Sequence, residues 1–318
     1  MLVATGGRIS SKNLGEGTVP KVSGQDLLKI VGPLEGEPPE VIDFDQMPGS
    51  QMAPDRMAGL AGVIIKAVAR EDVIGVVVTH GSDSLDESAF FCHLTVDSEK
   101  PVVFTESMRS AADLSWDGPI NLYESLVVAR WPRARSLGTL VVMHDQIHAA
   151  RFVMQAEGLG LDGFQSPACG PIGRLYNGEP ALWVTPSMNR TVLTPKIDIN
   201  VMIAYAETGA TESQINTILA RDNLHGLVVS GFGSGRVPLT WTAPLAEAAR
   251  KGLPIVLCAR TGVGGVGDRV GFQGAAWLIK AGLIPAHEMP ANKARIKLMI
   301  ALGNGLSAPA IRDYFINE

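Results

Sequence analysis

A chain of 318 residues that is 46% hydrophobic and 19% charged is not intrinsically disordered, and at roughly 150 residues per domain it is long enough for two cores. Its formal charge of −5 leaves no surplus of Lys and Arg for a nucleic-acid face, which needs clustered cations to release counterions. No apolar run approaches the roughly 18 residues of a membrane-spanning helix; the longest strand-like run is Val73 to Val78.

The predicted elements alternate along the chain. Leu2-Val3-Ala4 reads as a short first strand and Val41-Ile42-Asp43-Phe44 as another. Met57, Leu60, Ala61, Ile64 and Val68 repeat at helical spacing, with Pro54 in the expected first turn. Val73 to Val78 is the next strand, followed by a polar turn and a helix around Glu87 to Leu94. Pro101 to Phe104 (strand), Asn121 to Ala129 (helix) and Leu140 to Met143 (strand) continue the pattern. These runs read as strands buried on both faces of a parallel sheet.

The alternation lapses in a polar, proline-bearing stretch, taken as a linker over 185–197. It then resumes with strands at Ile199 to Ala204, Leu227 to Val229 and Pro254 to Cys258, helices at Gln214 to Ala220 and Ala243 to Arg250, and three closing helical segments. The expectation is two α/β domains, 1–184 and 198–318, each with a mostly parallel sheet. Cys92, Cys169 and Cys258 lie far apart and form no CxxC, which fits a reducing compartment. Met1 to Ala4 carries no basic n-region and no long apolar stretch, so a cytoplasmic location is expected.

In open α/β sheets ligands bind beyond the carboxyl ends of the strands. The residues delivered there are Thr5-Gly6-Gly7-Arg8, Gly49-Ser50-Gln51, His80-Gly81-Ser82-Asp83-Ser84, Glu106-Ser107-Met108-Arg109, His144-Asp145 and Gly231 to Gly235. Gly6-Gly7 allows close backbone approach to a ligand, or simply a turn. Ser82 and Asp83 at a helix start either cap free N–H groups or face an anionic ligand, with Asp83 holding an ammonium group or positioning a water.

Together these segments resemble the bacterial-type L-asparaginase and glutaminase family over nearly the whole chain. Thr5-Gly6-Gly7-Arg8-Ile9 is similar to its Thr-Gly-Gly-Thr-Ile segment, and Thr79 to Ser84 to its His-Gly-Thr-Asp-Thr segment. Gly49-Ser50-Gln51 matches its substrate clamp; Lys100 to Val103, Met108-Arg109 and Asp117 to Tyr123 resemble the block that follows. The resemblance implies a larger N-terminal domain with helices on both faces of its sheet, carrying most of the site, and a smaller C-terminal α/β domain. It also implies a homodimer or homotetramer in which a neighbouring subunit completes the site, no cofactor, no metal, and hydrolysis of a side-chain amide through an acyl-enzyme.

The departures fall on the family's reactive groups. Arg8 stands at the nucleophile position, Gly17 at the lid tyrosine and Gln155 at the lysine, while Ser82 keeps a hydroxyl at the second threonine. An Arg forms no acyl ester and is not deprotonated at working pH. Ser50, Gln51 and Asp83, the family's grips on the substrate's amino and carboxylate groups, are retained, so the cradle is partly kept, and Gly233-Ser234-Gly235 stands at the turn supplied by the partner subunit. The resulting expectation is an enzyme acting on a small carboxylate-bearing molecule, with Arg8, Ser82 and Asp83 as the catalytic candidates and Gly7, Ser50, Gln51, Gly81 and Gln155 binding substrate. Hydrolysis of an amide, imide or lactone comes first; elimination or isomerisation, ordinary asparaginase activity and a non-catalytic binding module are the alternatives. Arg8 can pair with a substrate carboxylate, stabilise an oxyanion, or bond Asp83 internally. Ser82 as nucleophile lacks an evident base, and a Ser–Lys pair among Ser10, Ser11 and Lys12 is a second possibility.

Two further patterns are set aside. Gly262 to Gly267 satisfies GxGxxG but has no surrounding Rossmann unit, and His144 with His148 has metal-like spacing only on a helix.

Overall fold

The computed structural model describes residues 1–13, 18–32, 36–187, 190–267 and 274–316. The chain forms two compact units, Met1–Met188 and Asn189–Glu318.

The first unit is built on an eight-stranded sheet, β12-β11-β8-β7-β6-β5-β1-β4 in spatial order. Its parallel half comprises β1 (Leu2–Gly6), β4 (Val41–Met47), β5 (Val76–Thr79), β6 (Val102–Thr105) and β7 (Thr139–Met143). Every residue of β1, β5, β6 and β7 is buried, as continuous apolar runs require in a sheet covered on both faces. Register explains which side chain goes where. Leu2, Val77, Val103 and Leu140 are aligned neighbours across four strands. They pack with Leu27 and Leu28 of α1 (Gly24–Val31) and Leu122 and Leu126 of α4 (Gly118–Arg130). The next residues along, Val3, Val78, Phe104 and Val141, are aligned on the opposite face, where α2 (Pro54–Val68) and α3 (Leu85–Thr95) pack on each other and on the sheet. β2 (Ser11–Asn13) and β3 (Thr18–Pro20) form a small antiparallel pair beyond β1.

Two sequence expectations are corrected. The run from Val73 begins its strand only at Val76, just after Gly75, which lies so close to Ala129 that a Cβ there would meet its carbonyl oxygen at 2.4 Å. The far edge of the sheet is antiparallel: β8 (Gln146–Ala149), β11 (Gly173–Tyr176) and β12 (Glu179–Leu182). His144-Asp145, at the carboxyl end of β7, is therefore a two-residue hairpin turn into β8, both residues at positive φ (51° and 59°). Asn177-Gly178 makes the second such turn (φ 51° and 82°). β9 (Met154–Gln155) and β10 (Phe164–Gln165) pair with each other outside the large sheet.

The second unit holds a parallel sheet, β13 (Val201–Tyr205), β14 (Gly226–Gly231), β15 (Ile255–Ala259) and β16 (Ile284–Pro285). α5 (Glu212–Leu219) opens with a capping box in which the Thr211 side chain and Gln214 exchange hydrogen bonds with each other's backbone. α6 (Leu239–Arg250) buries Trp241 and Leu245 against Leu227, Val229 and Leu257, and α7 (Ala275–Lys280) adds Leu278. α8 (Ala291–Gly303) packs on β13, β14 and β15, and α9 (Ala308–Ile316) closes the unit.

Leu140 is fully buried at the centre of the α1/α4 face. Leu140→Ala is expected to cost about 2–5 kcal/mol. A lower urea midpoint at unchanged m-value is the expected result; an unshifted midpoint would show that this face contributes little.

Candidate active site

The floor of the site is backbone packed on backbone at the carboxyl ends of β1, β4 and β5. Gly7 follows β1 with φ +79°, and a Cβ there would meet the His80 carbonyl oxygen at 2.2 Å and the Gly81 Cα at 2.6 Å. Gly49 and Gly81 press on each other: a Cβ on Gly81 would meet Gly49 Cα at 2.5 Å, and one on Gly49 the Gly81 carbonyl carbon at 2.8 Å. Side-chain bonds tie the same turns together. Thr5 Oγ1 donates to Thr79 O (3.0 Å), and Ser84 Oγ to Gly49 O (2.6 Å). The expected helix-capping role of this segment is not what is found, since α3 has no side-chain bond at its N-cap, Ser84.

Above this floor lies a cavity of about 130 Å³ lined by Gly7, Arg8, Ser11, Pro48, Gly49, Gly81, Ser82 and Asp83. Five of the candidates read from the sequence therefore meet on one wall: Arg8, Ser82, Asp83, Gly7 and Gly81. Ser50 and Gln51 sit in the same short turn as Gly49, exposed and not on that wall. Gln155 is on β9, paired with Phe164, and is not among the residues lining the 130 Å³ cavity. β9 belongs to a separate two-stranded pair rather than to a strand end of the large sheet. Gly17 lies outside the described residues.

Arg8 starts a single 3-10 turn, and its guanidinium crosses the end of β5, the strand between β1 and β6. There Nη1 donates to Met108 O at 2.5 Å. Among the described residues Arg8 has no ion pair, so the internal bond to Asp83 is not formed. The guanidinium also borders a second, more open cavity of about 590 Å³, which includes Arg109, Ser110, Asp113 and Leu159. The Ser82 hydroxyl enters no hydrogen bond with a described residue, whereas Ser10 and Ser11 both donate to Gly7 O (3.1 and 2.8 Å). With those hydroxyls engaged and Lys12 exposed, no Ser–Lys pair forms.

The segment that receives Arg8 is held from α4. Asp117 accepts from Met108 N and Arg109 N (3.0 and 2.9 Å), and Asn121 Nδ2 donates to Glu106 O and to Asp117 (both 2.9 Å). Glu106, which the sequence places at a strand end without a role, is the site residue that sequence reasoning missed. It stands first after the buried strand β6 and is itself fully buried, with neither carboxyl oxygen hydrogen-bonded. Burial, then the charges of Asp117 and Asp83, hold its carboxyl well above the usual range, against the pull of Arg8 and the Ser82 amide. The available signal was an acid directly after an all-apolar strand, which has to open onto the ligand end of the sheet.

His80, beside it, donates from Nδ1 to Gly81 O (2.9 Å), and its Nε2 is buried without a partner. Burial lowers its imidazole from 6.5 to about 4. No cluster of three or more His, Cys, Asp or Glu among the described residues could hold a metal. His148, of the pair with metal-like spacing, instead bonds Ser166 Oγ at 2.9 Å. Gly233-Ser234-Gly235 forms a tight turn after β14, with Ser234 at φ 59°.

Two consequences are measurable. Gly7→Ala combines a left-handed backbone with backbone overlap, and is expected to destabilise by at least about 1–3 kcal/mol; a stable, fully active variant would contradict the packing described. For His80, the unfolded chain binds a proton that the native state refuses between about 4 and 6.5. Stability therefore rises with pH through that window and is lost as pH falls. His80→Gln is expected to flatten this part of a plot of Tm against pH; an unchanged slope would assign it to other groups.

The comparisons with known proteins agree with this fold. A family model described as Asparaginase, N-terminal matches residues 1–187, and one described as Glutaminase/Asparaginase C-terminal domain matches residues 200–315. The chain is 35% identical to a probable L-asparaginase of Deinococcus radiodurans, over 99% of this chain and 96% of that protein. It is 30% identical to L-asparaginase 2 of Bacillus subtilis, over 99% of this chain and 85% of that one. A crystal structure of a probable cytoplasmic L-asparaginase from Campylobacter jejuni superposes with a TM-score of 0.89 at 28% identity, covering 100% of this chain and 98% of that one. With both of its units matched in order, and relatives aligned along almost their whole length, the chain belongs to the asparaginase family.

Proposed function

We propose that this protein is an enzyme that hydrolyses an amide, imide or lactone in a small carboxylate-bearing molecule, through a site altered from that of its relatives. Arg8 binds the anionic group or the developing oxyanion. Ser82 presents the reactive hydroxyl, and Asp83 holds the substrate's amino group or a water. Ser50, Gln51, Gly7, Gly81 and Gln155 bind the substrate. The observation that carries this reading is Arg8: a guanidinium on the cavity wall, anchored by one bond to Met108 O and without a carboxylate partner among the described residues. Such a group suits a bidentate anion and cannot replace a nucleophilic hydroxyl. Relatives carry the names L-asparaginase and glutaminase-asparaginase, which supports hydrolysis at a C–N bond. The same reading includes a homo-oligomer, a dimer or tetramer with a neighbour's Gly233–Gly235 turn near the site, located in the cytoplasm and working without a cofactor. No helix among the described residues is long and apolar enough to cross a membrane.

The test is an ammonia-release assay on L-asparagine and L-glutamine beside a panel of imides, lactones and acidic amides. Little release from the two amino acids is expected, with turnover of a panel member. On that substrate, Arg8→Met is expected to raise KM about 10- to 100-fold, the worth of a charge-assisted pair. Asp83→Asn should lower kcat. Ordinary ammonia release by the wild type would return the protein to plain asparaginase chemistry despite Arg8. Ligand-dependent stabilisation without any turnover would make it a binding module.

A further inference from the structure

Glu106 is the polar group that the structure leaves least explained. A buried carboxyl without hydrogen bonds is costly, and native structures retain few of them. On the neighbouring strand end His80 Nε2 is likewise buried without a partner. Register places them together. Thr79 is aligned with Thr105, and His80 N donates to Thr105 O (2.9 Å), so the residues after β5 run beside Glu106. Ser82 lies two residues beyond His80, its hydroxyl unengaged on the wall of the small cavity. Arg8 closes the same space from β1 by its bond to Met108 O.

We propose that Glu106 is the general base that activates Ser82. The inference rests on the hydrolytic reading above. The ionised Glu106 carboxylate takes the Ser82 hydroxyl proton, directly or through one water, as Oγ bonds to the acyl carbon. The C–N or C–O bond then breaks, and the departing group receives that proton from Glu106. Water attacks the acyl ester in turn, giving one proton to Glu106, which returns it to Ser82 Oγ as the acid product leaves. Arg8 faces the acyl oxygen or the substrate's carboxylate.

The Ser82 hydroxyl makes no hydrogen bond to Glu106 in this structure; catalytic pairs often close only in the substrate complex. His80 is the poorer base, its imidazole being held near 4, and Asp83 is exposed. The titratable and charged groups facing Glu106 are Arg8 after β1, His80 and Asp83 after β5, and Asp117 before α4. Burial raises the Glu106 carboxyl. Its active, ionised form therefore accumulates as pH rises above the ordinary carboxylate range, and the rate should rise with it.

The test labels the intact protein with a fluorophosphonate, a serine-reactive probe, from pH 5 to 9, and maps the modified peptide by mass spectrometry. Wild type, Glu106→Gln, Glu106→Asp and Ser82→Ala are compared, with folding followed by circular dichroism. Labelling at Ser82 is expected to rise with pH. In Glu106→Gln it should fall at least about 100-fold and lose its pH dependence, while Glu106→Asp retains the dependence at a lower rate. Ser82 labelling in Glu106→Gln equal to wild type, or no labelling of wild-type Ser82 at any pH, overturns the proposal. The two readings separate cleanly. Panel turnover with unaltered kinetics in Glu106→Gln leaves hydrolysis standing and removes Glu106. Glu106-dependent labelling without turnover of any panel member keeps the base and removes the substrate class.

Discussion

The site depends on three glycine backbones in contact. Gly7, Gly49 and Gly81 meet where β1, β4 and β5 end, with approaches that leave no room for a Cβ. Neighbouring parallel strands are held a fixed distance apart by their hydrogen bonds. The loops leaving them can converge only if side chains are absent where they touch. Convergence leaves a shallow floor, and Arg8, Ser82 and Asp83 stand around it because each directly follows one of those glycines in the chain or in the same turn. The fold thereby delivers a cation, a hydroxyl and a carboxylate to one small volume without any of them packing in the core.

Electrostatics separates the two acids there. Asp83 is exposed on the cavity wall, while Glu106 is enclosed by β5, β6 and the start of α4 and held well above the usual carboxylate range. Two carboxyl groups in one site with environments that differ this much are suited to different proton-handling tasks. Arg8 joins the two environments. Its guanidinium borders the cavity at one end and fixes the backbone beyond Glu106 at the other. The Asp117 and Asn121 side chains hold that backbone from α4, so the segment after β6 is set by helix packing as much as by the sheet.

Much of this architecture is legible in the residues. The apolar runs at β1, β6 and β7 need burial on both faces, and the helical repeat of α2, with its early proline, appears where the spacing put it. The antiparallel edge is not legible in the same way, because a run such as Gln146–Ala149 carries no sign of its direction. Direction is set by a two-residue turn whose positive φ values at His144 and Asp145 only the folded hairpin displays. Asn177-Gly178 did carry a hairpin signal, within a stretch too polar to draw attention.

The sequence by itself determined the family, the alternation of strands and helices, and the residue types offered at the strand ends, because these follow from local pattern and motif order. Tertiary structure alone decided which of them meet. Gly7, Arg8, Gly81, Ser82 and Asp83 share one cavity, Gln155 does not, and Arg8 turns to Met108 rather than to Asp83. The burial of Glu106 belongs to the same class. Whether an acid at a strand end is solvated or enclosed depends on which neighbouring loops close over it, and that is set by strand register and helix packing between segments far apart in the chain.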